Sequence, residues 1–192
     1  MKFKEFIKRN YLDIILGFCS FILPLIALLI IFNSKGFLTL DEVNPTIIMD
    51  DMQSIYIAFM RNLRNKLINH ESFIYSMNKT FGGDYLSIYS FYLASPFNFF
   101  VVFFKEESIP LFFVLSMIFK MSFASLNMYL CLRISTKERK ISYIALGFAY
   151  GLISYSFVEM NNYMWLDGVM ILPLVILGLK QMEIKKNYWI YV

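Results

Sequence analysis

Uncharged apolar runs alternate along this chain with short basic segments. Residues 14–32 carry no charged side chain, and further apolar stretches follow at about 110–132, 141–160 and 165–183. With the first run taken as about 12–32, each has close to the roughly 20 residues that a helix needs to cross a bilayer. Between the first and second lies a mixed segment, residues 33–108, and loops beyond about 15 residues usually carry structure or function of their own. Within it, residues 51–68 put Met52, Ile55, Tyr56, Phe59, Met60, Leu63 and Leu67 on one helical face and Arg61, Asn62, Arg64 and Asn65 on the other. This pattern predicts an amphipathic helix lying on the membrane surface. Asn69 to Ser72 is expected to end that helix, and Gly82-Gly83 marks a tight turn.

Residues 85–104 form one more uncharged stretch, but Ser95-Pro96 interrupts it. Proline removes a backbone donor and clashes with the preceding turn. The segment therefore reads as two interfacial pieces, with Tyr85, Tyr89 and Tyr92 at headgroup level, where amphipathic rings are favoured.

Charge gives the expected orientation. With the N-terminus in the cytoplasm, Lys2, Lys4, Lys8, Arg9, Arg133, Lys137, Arg139, Lys140, Lys180, Lys185 and Lys186 lie inside, and Lys35, Arg61, Arg64, Lys66, Lys79 and Lys105 lie in an outer loop. The excess of basic residues on the cytoplasmic side satisfies the positive-inside bias. A crossing by residues 85–104 would reverse it. Residues 14–32 are too long for the apolar region of a secretory signal and lead to no small-residue cleavage site, so an uncleaved anchor is expected.

Composition points the same way. Of 192 residues, 58% are apolar and 17% charged, against roughly 45–50% and 25% in soluble domains. A water-soluble globule is excluded, and so is disorder, which needs low hydrophobicity and high net charge. The fold class expected is an all-α membrane protein of about four transmembrane helices, its long outer loop carrying amphipathic interfacial helices. Cys19 and Cys131 both fall in apolar stretches, so no disulfide framework is implied.

The candidate chemistry is carried by a few polar residues. Asp50 and Asp51 open the amphipathic helix, where a carboxylate could act as general base on a hydroxyl at the membrane surface or simply cap the helix. Asp167 follows Trp165 at the outer end of the fourth run, at a depth where an acid needs a partner. Glu159, Asn161, Asn162 and Tyr163 add polar groups beside it, and the turn's backbone could equally satisfy it. Lys120 sits near the middle of the second run and must pair with a carboxylate or neutralise a bound phosphate. Arg61 and Arg64 suit phosphate by their forked geometry, or meet anionic headgroups. Gly147 and Gly151 form a GxxxG pattern suited to close helix packing. His70 is the sole histidine and is expected at the surface, and no phosphate loop, dinucleotide fingerprint or CxxC is present.

Taken in order, the run from Asp51 to Tyr56, Phe81-Gly82-Gly83, Ser95-Pro96-Phe97-Asn98, Lys120, the run from Asn162 to Gly168 and Leu172-Pro173-Leu174 resemble the N-terminal part of the YfhO family of bacterial multi-pass membrane proteins, over about residues 45–182. The resemblance implies a GT-C-like N-terminal bundle and a glycosyltransferase that takes a sugar from a polyprenyl-phosphate carrier and gives it to a cell-envelope polymer such as teichoic acid, on the outer face of the bacterial cell membrane. It places the catalytic base at Asp51, with Asp50 as neighbour. Arg61, Arg64, Lys120, Asp167 and Trp165 are expected to contact substrate. A divalent cation held by two or three carboxylates is left open. Where the family often has glutamine before the tyrosine matched by Tyr56, this chain has Ile55. Family members are much longer, so the chain is expected to be a fragment. The partners expected are the lipid-linked donor, the polymer acceptor and the bilayer, without nucleic acid. The alternative is a non-catalytic transporter of lipid-linked sugars or an assembly subunit.

Overall fold

The structure, a computed structural model, describes residues 2–39, 51–77 and 82–185. Among the described residues, four helical stretches are long and apolar enough to cross a membrane: Tyr11–Ser34, Glu106–Thr136, Ser142–Asn161 and Trp165–Glu183. The chain is an all-α membrane protein. It forms two compact units, one drawn from Met1–Ile31, Ile118–Val158 and Leu166–Val192 and the other from Phe32–Met117 and Glu159–Trp165.

The first unit is a helical bundle built on α4 (Ile109–Thr136) from Ile118 onward, with α1 (Lys2–Ser34) up to Ile31, α5 (Ser142–Gly151), α6 (Ser154–Val158) and α7 (Trp165–Lys185) from Leu166. Its polarity is inverted relative to a soluble bundle. Phe18 and Ile30 of α1 are each 64% exposed, while Ser20, Lys120, Ser122 and Ser125 are fully buried. Lipid tails are as apolar as leucine, so helix association in a membrane relies on close packing and interhelical hydrogen bonds. Both are present here. Ser125 Oγ donates to the Ser20 carbonyl at 2.7 Å, tying α4 to α1. A Cβ on Gly147 would lie 2.7 Å from the Ser125 carbonyl oxygen, and one on Gly151 would lie 2.7 Å from that of Met121. The GxxxG pattern thus lets α5 lie directly on α4.

These contacts fix the helix directions. Position 13 meets 133 and position 20 meets 125, while position 147 meets 125 and position 151 meets 121, so α1 and α5 run antiparallel to α4. Asn127 Nδ2 donates to the Met170 carbonyl at 2.7 Å, and Lys180 Nζ to that of Ser135 at 3.5 Å, so α7 runs parallel to α4. The stretch expected as one helix over 141–160 is interrupted. Helix α5 ends at Gly151, Leu152 leaves helical geometry, and α6 and a short 3-10 turn, Glu159–Asn161, continue the path.

In the second unit, a π-helical turn, Met52–Tyr56, runs into α2, Ile57–Asn69. Met52, Tyr56, Met60 and Leu63 are buried, which is the apolar face read from the sequence. Lys66 joins them, against expectation. Its Nζ donates to the carbonyls of Ser72 at 2.6 Å and Tyr75 at 2.9 Å and stands 4.9 Å from the centre of the Tyr85 ring. Exposed His70 closes α2 in the left-handed conformation (φ 54°). Two short strands, β1 (Tyr75–Ser76) and β2 (Gly83–Asp84), pair antiparallel. Gly82 has φ 94°, and a Cβ there would collide with Tyr75, so both conformation and space require glycine.

Helix α3 (Leu86–Ile88) and its π-helical extension, Tyr89–Leu93, meet the 3-10 helix Pro96–Phe103 at a bend of 102°. Ser95 is extended (φ −74°, ψ 133°), as the following proline demands. At helical rises of about 1.5 and 2 Å per residue the two pieces are about 12 and 16 Å long, and a bend beyond a right angle turns the second back from the direction of the first. The pair is therefore a sharply bent element and not one straight span. Its lipid-compatible surface is the apolar one, with Phe103 at 80% and Phe91 at 62% exposed while Asn98 and Ser95 are buried.

Candidate functional site

Each unit contributes its own set of candidate residues. In the bundle, the parallel register of α4 and α7 brings Lys120 to Asp167, in the first turn of α7. Lys120 Nζ donates to Asp167 Oδ2 at 2.8 Å. The lysine side chain is fully buried, whereas 21% of the aspartate side chain stays accessible. A lysine at mid-span costs about 2.5–3.5 kcal/mol on insertion scales unless compensated, and the carboxylate is the compensation. Of the two roles read for Lys120, pairing with an acid is the one seen. Asp167 is answered by the side chain of Lys120. A Cβ on Gly168, next in the chain, would meet nothing within 4 Å.

In the second unit, Asp51 heads the helix at the π-turn. It already has helical backbone angles (φ −62°, ψ −29°), its side chain is exposed, and it makes no capping hydrogen bond. Capping was the structural alternative for this residue, and it is not what the carboxylate does. Asp84 shows the contrast, since its oxygens accept from the amides of Leu86 at 3.0 Å and Ser87 at 3.3 Å at the head of α3. Asp50 lies outside the described residues.

The two arginines are partly engaged. Arg64 Nε donates to the Phe104 carbonyl at 2.6 Å, which ties α2 to the end of the bent pair. Arg61, half exposed, has Glu106 at 3.7 Å. Trp165 is 52% exposed and its amide donates to the Asn162 carbonyl at 2.8 Å, which suits an aromatic ring at a membrane interface. In the turn before it, Asn162 Nδ2 donates to Glu159 at 2.8 Å.

The sequence reading did not foresee how three motif residues meet. Tyr163 Oη donates to Asn98 Oδ1 at 2.9 Å, and Asn98 Nδ2 donates to the Leu93 carbonyl at 3.0 Å. The Tyr163 ring lies edge-on to Tyr56 at 6.3 Å and to Phe113 at 5.0 Å. Tyr56, Asn98 and Tyr163 are thus one buried cluster drawn from three separate sequence motifs. Edge-to-face aromatic pairs add about 0.5–1.5 kcal/mol beyond area burial. Near Phe73 and Lys66, burial pushes the Tyr85 hydroxyl above its ordinary pKa, with Tyr89 adding to the shift.

Among the described residues, no three histidine, cysteine, aspartate or glutamate side chains stand together to hold a metal ion. The chain matches the family model described as bacterial membrane protein YfhO over residues 20–192. No curated protein and no solved structure matches it.

Proposed function

The chain belongs to the YfhO family of bacterial membrane proteins, and we propose that it serves a membrane glycosyltransferase of GT-C type. The reaction proposed moves a sugar from a polyprenyl-phosphate carrier to a cell-envelope polymer such as teichoic acid, on the outer face of the cell membrane. Asp51 is the proposed general base. Its carboxylate takes the proton of the acceptor hydroxyl as that oxygen attacks the anomeric carbon. The bond from that carbon to the phosphate oxygen breaks, and polyprenyl phosphate leaves with the electron pair. A phosphate leaving group already stabilises its charge, so no general acid is assigned.

The observation that supports this reading is the state of Asp51: exposed at the head of a helix, and capping nothing. A carboxylate kept out of the helix's own hydrogen bonding can accept a substrate proton. The basic groups proposed to stabilise the departing phosphate electrostatically are Arg61 and Arg64, in the same unit as Asp51. Arg61 is half exposed, and Arg64 keeps guanidinium N–H groups beyond the one given to Phe104. Asp167 is assigned the task of holding Lys120 in its charged form within the membrane.

A second reading, a non-catalytic transporter of lipid-linked sugars or an assembly subunit, is favoured by the same ion pair, because Lys120 is already neutralised by Asp167. Transfer of labelled sugar separates the two readings. Membranes holding the full-length protein, supplied with a polyprenyl-phosphate-linked sugar, should label envelope polymer, and membranes lacking the protein should not. Equal labelling of both would end the enzymatic reading.

A further inference from the structure

At the end of the bundle where α1 starts and α4 finishes, one carboxylate is gripped by two guanidiniums. Arg133 donates from Nε to Asp13 Oδ1 at 2.8 Å and from Nη2 to Oδ2 at 3.1 Å. Arg139, in the loop after α4, donates from Nε to Oδ1 at 3.0 Å and from Nη2 to Oδ2 at 2.9 Å. An ionised carboxylate has about four lone-pair positions, and these bonds use all of them. Each arginine keeps three further N–H donors that Asp13 does not take. The trio carries one net positive charge, and Arg139 is 40% exposed.

A groove of about 740 Å³ runs from this cluster along the seam of α1 and α4. Ile14, Gly17, Phe21, Phe123, Leu126 and Leu130 line it, with Asp13 at its polar end. Gly17 keeps the α1 wall of the groove low. The volume falls in the range of about 300–1,000 Å³ usual for small-molecule sites, and the lining is apolar except at Asp13, where the two guanidiniums are held.

The geometry points to a binding site for an anionic phospholipid of the surrounding bilayer, its acyl chain in the groove and its phosphate on Arg133 and Arg139. Guanidiniums form paired, charge-assisted hydrogen bonds to phosphate oxygens. Asp13 holds both forks in place before the lipid arrives, and the remaining positive charge selects an anionic headgroup over a zwitterionic one. A transmembrane helix laid in the same groove would need an acid of its own at that depth to answer the charge. This site is separate from the proposed sugar-transfer residues and does not depend on that reading.

The test is retention of phosphatidylglycerol against phosphatidylcholine of matched chains by the purified full chain in native mass spectrometry. The unaltered protein should retain phosphatidylglycerol at least about fivefold better, the factor given by about 1 kcal/mol per basic group at a membrane surface. Arg139→Gln leaves the Arg133–Asp13 pair intact and should reduce that preference about fivefold. Leu126→Trp fills the groove and should lower retention of the anionic lipid, with a thermal melt confirming the fold. Equal retention of the two lipids, or a preference unchanged in Arg139→Gln, would overturn the proposal and leave the groove to a neighbouring helix. If Leu126→Trp fails to fold, Arg139→Gln decides alone.

Discussion

Lys120 and Asp167 form an ion pair at 2.8 Å in which the two partners are unequally buried: the ammonium is sealed and the carboxylate keeps about a fifth of its surface open. The asymmetry sets the cost of breaking the pair. Asp167→Asn removes the counter-charge of a fully buried cation, and losses of about 3–5 kcal/mol are typical of such changes. Lys120→Met leaves an acid that can still reach polar surroundings, so it should cost about half as much. The double variant should recover most of the loss. Unfolding of the purified chain in detergent would check the order, and equal losses for the two single variants would contradict the burial asymmetry.

The bundle's close packing makes two glycines in it respond oppositely to the same change. Gly147→Ala forces a methyl to within 2.7 Å of the Ser125 carbonyl and should cost about 1–3 kcal/mol, as overpacking does. Gly168→Ala meets open space and lies within α7, where alanine is favoured over glycine by up to about 1 kcal/mol. Thermal melts of the two variants should move in opposite directions.

The Asn98–Tyr163 hydrogen bond joins two motif residues far apart in the chain. Tyr163→Phe keeps the ring contacts with Tyr56 and Phe113 but withdraws the donor from a buried amide oxygen. The expected loss is about 1–2 kcal/mol, read as a lower melting temperature. Asn98→Ala should cost more, because it also frees the Leu93 carbonyl from its Nδ2 donor.

Sidedness is open to direct labelling. Gln53 is exposed two residues after Asp51, and Lys137 is exposed in the loop after α4. A thiol introduced by Gln53→Cys should react with an impermeant maleimide in intact cells, and one introduced by Lys137→Cys only after permeabilisation. The reverse pattern would put Asp51 on the cytoplasmic side and remove it from an outer-face reaction.

Much of the fold was legible because the membrane leaves few options: a long uncharged run has to be a helix, since every backbone polar group needs an internal partner. Proline at position 96 announced the break that the structure shows as a sharp bend. Other features were illegible for a shared reason, that their cause lies in a distant residue. Asp13 sits just inside an apolar run, and nothing nearby in sequence names Arg133 and Arg139 as its partners. Lys66 entered the sequence only as one more basic residue of the outer loop, yet it is buried, donating to carbonyls of the segment that follows α2. The interruption after Gly151 falls within a stretch of apolar residues, so hydropathy does not report it. As for the candidate residues, Asp51 and Asp167 stood out by their placement against apolar runs. The union of Tyr56, Asn98 and Tyr163 could not be seen from residues that each look like ordinary core.

The most direct measurement of the central claim is sugar incorporation into envelope polymer by cells whose only copy of the full-length protein carries Asp51→Asn. Loss of a general base lowers a rate by about 10²–10⁴-fold, so incorporation should fall by at least about a hundredfold while the protein's level and membrane insertion stay unchanged. Incorporation at the unaltered rate would contradict the claim that Asp51 takes the acceptor's proton.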